Sequence, residues 1–446
     1  MTMIFQQPLA PRDTLRSTIG RYYRADEGEV VAEILDGARM SPEATARVEA
    51  RARDLVLEVR RRRLGSGGID AFMHEYDLSS AEGVLLMCLA EALLRIPDAH
   101  TADRLIRDKL GGADWERHVG RSESLLVNAS TWALMLTGRM VSLSDFEGQS
   151  VKSLLGRLAN RIGEPVIRQS VTRAMRIMGR QFVMGRTIDE ALDRARPDWS
   201  RGYRHSFDML GEAARTAADA ERYFDAYCGA IEALGTAGAG RGPIESPGIS
   251  IKLSALHPRY EFAKQGGMMR ELVPRLTELA RLAAERDIGL TVDAEEADRL
   301  ELSFDVIEAV CADRRLTGWD GFGLALQTYL KRALPTVDYL ADLARRYRRR
   351  LMLRLVKGAY WDTEIKRAQE HGLDGYPVYT RKATTDVSYL ACARRVLEHR
   401  ECFYPQFATH NAHTVAAVLE LLGEDRGFEF QRLHGMGQAL YDPIVG

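Results

Sequence analysis

The sequence predicts an α/β chain whose larger part is a (βα)8 TIM-like barrel, apparently incomplete with seven strands, preceded by an N-terminal arm and an all-α domain. Three observations carry this. From Gly202 onward, short apolar segments alternate with amphipathic helical stretches. The segments start roughly 25 to 50 residues apart, the period of βα units with insertions. Polar or charged residues recur at the C-terminal ends of these segments, where such barrels keep their chemistry.

Residues 1–30 are polar with few periodic apolar positions and suit an extended arm better than a core. Residues 31–150 read as an α-helical domain and 151–200 as a helical linker. EVVAEILDGARM, from about residue 30, reads as helical, as does SPEATARVEARARDLVLEVRRRR, where Ser41 before Pro42 and Glu43 is the expected helix start. Its basic end, Arg60 to Arg63, reads as an anion patch or as a solvated helix C-terminus. GVLLMCLAEALLRI (83–96) is the most apolar run, but Glu91 and Arg95 interrupt it and it is too short to span a bilayer, so a buried helix is expected.

Residues 201–446 make the barrel. Its strand segments are YRHSFDML (203–210), GISIKLSAL (248–256), IGLTVDAE (288–295), FGLALQTY (322–329), LMLRLVKG (351–358), FYPQFATHN (403–411) and FEFQRLHG (428–435). After the last comes only MGQALYDPIVG, too short for a further strand and its helices. A barrel stopping there leaves two unpaired strand edges.

Composition narrows the function. Hydrophobic residues are 46% and charged residues 28%, ordinary for a soluble protein, and a formal net charge of −1 gives no support for a nucleic-acid partner. The five cysteines are odd in number and form no CxxC, which points away from a disulfide framework or zinc site and towards a reducing, cytoplasmic compartment. The N-terminal MTMIFQQPLAPRD lacks the pattern of a signal peptide.

The strand-end residues are Asp208 and Glu212; Lys252 and Ser254; Asp293, Glu295 and Glu296; Gln327; Arg354 and Lys357; Thr409, His410 and Asn411; then Gln431, Arg432 and His434. One alone fits a capped turn; the same behaviour at strand after strand points to a site. Convergence of Lys252, Arg354 and Lys357 with Asp293 would give a largely cationic mouth, suited to a carboxylate or phosphate. Arg354 poses the sharpest case, because a charge among Leu351, Met352, Leu353 and Leu355 is costly unless paired. Alternation aims it inward, opposite Leu353 and Leu355.

Next comes GAYW. Gly358 lets backbone approach a ligand, and Tyr360 and Trp361 offer a stacking surface for a flat ring such as adenine; a turn followed by core aromatics is the alternative. YTRKATTDVSY (379–389) sets hydroxyls and cations before a helix, suited to phosphate oxygens or to helix capping by Thr384 or Thr385. In THNAHT (409–414), His410 and His413 with Asp293 could ligate a metal, but a strand end and a helix start aim the histidines differently, and no metal is expected.

SIKLSALHPRYE, TVDAEEADRLELS, LRLVKGAYWDTEIKRAQ and FATHNAHT together make the chain resemble, over most of its length, the proline dehydrogenase part of bifunctional proline utilization A flavoenzymes. That resemblance implies a distorted barrel holding non-covalent FAD, hydride transfer from L-proline to flavin N5 giving 1-pyrroline-5-carboxylate, and electrons passed to a membrane quinone. A cytoplasmic homo-oligomer peripheral to the inner membrane is implied with it. Carried over by motif, Arg354 lies at the flavin N5 edge, Gln327 bonds the isoalloxazine and Trp361 stacks on adenine. Lys357, Gly358, Tyr360, Thr380, Lys382, Thr385, Thr409, His410 and Asn411 line the rest of the cofactor. Lys252 and Asp293 belong to the proline site, with Leu355 and Tyr360 nearby, and Arg354, Asp293 and Lys252 form the catalytic group. The partner of Arg354 would then be the cofactor.

The resemblance also marks what is missing. In the family an eighth strand precedes a final helix whose arginine pair and tyrosine clamp the proline carboxylate, and an aldehyde dehydrogenase part follows; some relatives carry an N-terminal ribbon-helix-helix DNA-binding segment. None has a counterpart in this sequence, so a piece of a longer polypeptide is expected. Two other readings are a non-catalytic fragment acting in dimerisation and a metal-dependent barrel hydrolase using His410, His413 and Asp293.

Overall fold

The structure, a computed structural model, describes residues 13–64, 183–211 and 213–445. Most of the expected helical domain and linker, the apolar run 83–96 and Glu212 lie outside the described residues. The chain divides into two compact units, one of Met1–Leu55, Ala195–Arg432 and Val445–Gly446, the other of Val56–Arg194 and Leu433–Ile444.

The first unit opens with α1 (Thr14–Arg21), α2 (Glu27–Ala38) and the start of α3 (Pro42–Leu64). The stretch read as an extended arm is thus helical from Thr14. Asp13 caps α1 by accepting the Arg16 N–H at 2.7 Å, and Asp26 caps α2 by accepting the Glu29 N–H at 3.0 Å. Tertiary contacts then hold both helices. Val30 and Ile34 pack on Tyr379 and Ala391. Arg16, 7% exposed, pairs with Asp305 at 2.9 Å and lies over the rings of Phe304 and Tyr339.

After α4 (Ile188–Trp199) the βα repeat runs β1 (Ser206–Asp208), α5 (Ala217–Gly238), β2 (Gly248–Ile251), the short α6 (Leu253–Leu256), α7 (Gln265–Glu285), β3 (Leu290–Val292) and α8 (Leu300–Cys311). It continues through β4 (Phe322–Gln327), α9 (Ala333–Tyr347), β5 (Leu351–Val356), α10 (Trp361–Glu370), α11 (Lys382–Glu398), β6 (Phe403–Ala408), α12 (Ala412–Leu422), β7 (Glu429–Gln431) and α13 (Gln438–Val445). All seven expected strands form, parallel and in sequence order. The incomplete α/β barrel read from the sequence therefore holds.

The sheet is rolled, and one side chain demonstrates it. Arg354 in β5 reaches Ser206 in β1 at 3.2 Å, although four strand steps separate them in the sheet order. In a flat sheet four steps of about 4.8 Å would hold such residues roughly 19 Å apart. Along β5, Leu351, Leu353 and Leu355 are fully buried, and alternation sets them on the face opposite Arg354, under the helices. Leu272, Leu276 and Leu279 of α7 and Val337, Leu340 and Leu343 of α9 are likewise fully buried, one apolar stripe per helix.

In the second unit, Arg62 donates from Nε to Glu58 at 2.7 Å and pairs with Asp442 at 3.5 Å. No described helix is long and apolar enough to cross a membrane.

Candidate active site

Four charged side chains meet at the C-terminal rim of the sheet. Asp208 ends β1, Lys252 follows β2, Asp293 follows β3 and Arg354 projects inward from β5. Lys252 Nζ donates to Asp208 Oδ1 at 2.9 Å and to Asp293 Oδ2 at 3.2 Å. Arg354 Nη1 donates to Asp293 Oδ1 at 2.9 Å, while Nη2 donates to the hydroxyls of Ser206 at 3.2 Å and Ser250 at 3.0 Å. One carboxylate, Asp293, is thus shared by both cations, one oxygen each.

Two expectations change. The partner of Arg354 is Asp293 with two serine hydroxyls, not a cofactor alone. Nor is this mouth largely cationic: Asp208 and Asp293 balance Lys252 and Arg354, because charges this enclosed need pairing. Burial pulls the Lys252 ammonium down, but Asp293 and Asp208 outweigh it and hold its pKa above the ordinary lysine value. Desolvation on its protein side and repulsion from Asp293 raise the Asp208 carboxyl, against the pull of Lys252. Half of the Asp208 side chain, 49%, is nevertheless open to solvent. Sequence reading missed Ser206 and Ser250, although Ser250 and Lys252 stand two residues apart, the spacing of one strand face. It also missed Tyr227 of α5, whose buried hydroxyl accepts the Lys252 backbone N–H at 3.3 Å.

Gln327, 2% exposed, ties two loops together. Its Nε2 donates to the Glu295 carbonyl at 2.8 Å and its Oε1 accepts the Ala359 N–H at 2.9 Å. Gly358 beside it has φ +146°, and a Cβ there would lie 2.3 Å from Cδ2 of the Tyr329 ring. The close approach that demands glycine is therefore to Tyr329. Gly358→Ala is expected to cost about 2 kcal/mol through strain and clash, measured as a lower urea midpoint; an unchanged midpoint would show that the loop yields freely.

Glu364 supports the same region from α10, accepting the Ala297 N–H on Oε1 at 2.7 Å while 5% exposed. Burial pushes its carboxyl above the ordinary 4.5. A folded pKa above the unfolded one means its stabilising contribution is complete below the unfolded pKa and is lost as pH rises through the folded value. Glu364→Gln should therefore gain thermal stability relative to wild type as pH rises above the ordinary carboxyl value, whereas a difference that does not change with pH would contradict the assignment.

The other residues expected at the cofactor are placed as follows. Lys357 Nζ is held by Asp386 and by Thr414 Oγ1 at 3.1 Å, and stands 6.0 Å from the centre of the Tyr389 ring. Asn411 caps α12 by accepting the Thr414 N–H at 2.9 Å, and its own N–H bonds buried Thr409 Oγ1 at 3.2 Å. Tyr360 immediately precedes α10, and Trp361, 41% exposed, donates its indole N–H to the Tyr379 carbonyl at 2.8 Å. Thr380 donates to Glu27 through its backbone N–H and its hydroxyl, while Lys382 opens α11 exposed and Thr385 is buried in its first turn. Leu355 takes no part in the ion-pair group; its carbonyl accepts the Tyr389 hydroxyl at 3.3 Å from the helix layer.

His410 and His413 are both exposed, and among the described residues no group of three or more His, Cys, Asp or Glu is arranged to hold a metal. The residues present would suit a flat ring with hydrogen-bond acceptors on its edge. The buried Arg354 Nε has no hydrogen-bond partner among the described residues, and the Trp361 indole leaves much of its surface open.

A family model described as proline dehydrogenase matches residues 191–446, more than half of the chain and the whole barrel. The chain belongs to the proline dehydrogenase family. Two further models match: the proline utilization A proline dehydrogenase N-terminal domain over 13–60, and the DNA-binding domain of proline dehydrogenase over 68–182. The second falls wholly outside the described residues and does not test the expectation of no nucleic-acid partner. The bifunctional protein PutA of Salmonella typhimurium is 52% identical over 99% of this chain and 34% of its own length; that of Rhizobium meliloti is 50% identical over 99% and 36%. Among solved structures, a D779Y mutant of Bradyrhizobium japonicum proline utilization A aligns with a TM-score of 0.72 at 51% identity, over 95% of this chain and 42% of that one. The expected likeness to the proline dehydrogenase part of proline utilization A holds. The chain spans about a third of the length of the curated relatives it matches.

Proposed function

We propose that this proline dehydrogenase family member binds FAD non-covalently at the strand-end group and oxidises L-proline to 1-pyrroline-5-carboxylate. The observation that carries the reading is the Asp293 carboxylate shared between Arg354 and Lys252, because it fixes two cations at one rim. When bound, FAD supplies the two-electron acceptor. Oxidation would remove a hydride from C5 of the free-amine form of proline, the nitrogen lone pair forming the C=N bond and the remaining N–H proton going to water, which needs an oriented ring more than elaborate proton chemistry.

The residues divide that task. Lys252 offers its ammonium to the substrate carboxylate by exchanging Asp208, whose half-exposed partnership is readily replaced. Asp293 holds Lys252 and Arg354 at fixed separation, and the spare Nε–H of Arg354 serves as a donor to the ring system. Gln327 holds the two loops beside the ring, and Trp361 gives its open face to adenine. Lys357, Thr380, Lys382, Thr385, Thr409, His410 and Asn411 take the remaining polar groups of the cofactor. Electrons then pass to a membrane quinone from a homo-oligomeric, cytoplasmic protein peripheral to the inner membrane, on a longer polypeptide that carries an aldehyde dehydrogenase part.

The test is anaerobic addition of proline to the flavin-loaded protein at the length of its relatives. Bleaching of the visible flavin bands is the expected result. Bleaching by dithionite but not by proline would overturn the reading.

A further inference from the structure

Tyr23 and Ala25 in the link between α1 and α2, with Glu27 at the start of α2, engage the loop after β4 and the connection between α10 and α11. The ring of Tyr23 lies 4.3 Å from the Arg332 guanidinium carbon. Two residues on, the Ala25 carbonyl accepts the Lys331 ammonium at 2.8 Å. Two further, the Glu27 carboxylate accepts the Thr380 N–H at 2.9 Å and the Thr380 hydroxyl at 2.9 Å. Lys331 and Arg332 are each 3% exposed, so burying them calls for such partners.

These two loops are themselves cross-tied. The Tyr379 N–H donates to the Tyr329 carbonyl at 2.8 Å, the Lys331 N–H donates to the Pro377 carbonyl at 3.1 Å, and Trp361 donates to the Tyr379 carbonyl at 2.8 Å. Thr380 lies next to that knot, one residue beyond Tyr379. The donors it presents would otherwise face water at an exposed position, and a residue 353 positions earlier in the chain fixes them.

We infer that Glu27 is a positioning residue for the cofactor segment 379–385: its carboxylate sets the Thr380 backbone, and through Tyr379 the Trp361 indole, in the arrangement that receives FAD. The inference rests on the proposed flavin reading and adds to it a role for the N-terminal segment within its own barrel. Tyr23 and Ala25 anchor the strap, and Glu27 acts at its end. The carboxylate accepts both Thr380 donors, so its removal frees them together while the anchors remain.

The test compares wild type, Glu27→Ala, Glu27→Gln and the exposed control Glu29→Gln in the full chain. Hydrogen exchange is measured without cofactor, and FAD affinity by fluorescence titration. Glu27→Ala is expected to speed amide exchange across 377–386 by about tenfold, with the 265–285 helix unchanged, and to weaken FAD binding by about tenfold, the scale of a lost charge-assisted bond. Glu27→Gln keeps a carbonyl acceptor for the Thr380 N–H and is expected to recover most of both effects, while Glu29→Gln matches wild type. Unchanged exchange in 377–386, or faster exchange with wild-type FAD affinity, would overturn the inference. Wild type that binds no FAD would instead bring down the flavin reading, and this inference with it.

Discussion

Arg354→Met is expected to lower kcat/KM for proline by about 10²–10³-fold and to weaken flavin retention, the scale seen when one preorganised donor is removed from a charge-stabilising site. The substitution keeps a long side chain on the inward face of β5. It removes the bonds to Asp293, Ser206 and Ser250, and the spare Nε–H as well. Asp293 keeps Lys252, so the group loses one arm without collapsing. The measurement is steady-state turnover with proline and an artificial acceptor, alongside flavin absorbance per polypeptide, on protein of the relatives' length. Wild-type turnover and flavin content would show that the guanidinium serves the fold and not the chemistry.

Asp293→Ala is expected to damage both stability and activity, because one deletion strips a partner from two cations. Arg354 and Lys252 have side chains only 12% and 14% exposed. Breaking an enclosed pair by removing one partner costs about 3 kcal/mol, at the lower end here because water still reaches the rim. Lys252 keeps Asp208, but the fixed spacing between the cations is lost. We expect a clear fall in the thermal midpoint and a loss in kcat/KM of about 10²-fold. A double cycle with Lys252→Met separates the roles: coupling well above additivity follows from the shared carboxylate, and simple additivity would argue against it.

Much of the barrel could be read ahead because its strands are short, mainly apolar segments with polar residues towards their C-terminal ends, alternating with helical stretches. β1, β3 and β7 are three residues each, shorter than the segments read from the sequence. The inward aim of Arg354 was legible from alternation alone. Its partner was not, because Asp293 lies 61 residues away and pairing at that distance is a product of the roll. The same holds for Thr380 and Glu27, 353 residues apart. Expecting a cationic mouth came from counting lysine and arginine without weighting Asp208, although Asp208 stood among the strand-end residues. Gly358 was rightly marked as a close approach, but the group approached is Tyr329, which no local pattern identifies. The helix Thr14–Arg21 was missed because its periodicity is weak, and its Asp13 cap and the burial of Arg16 and Ile19 hold it instead.

The visible absorption spectrum of the purified protein after incubation with FAD and removal of free cofactor bears most directly on the shared-carboxylate site. Resolved flavin bands near one equivalent per polypeptide, much reduced in Arg354→Met, are predicted. A folded, colourless wild type with all four rim charges intact would contradict it.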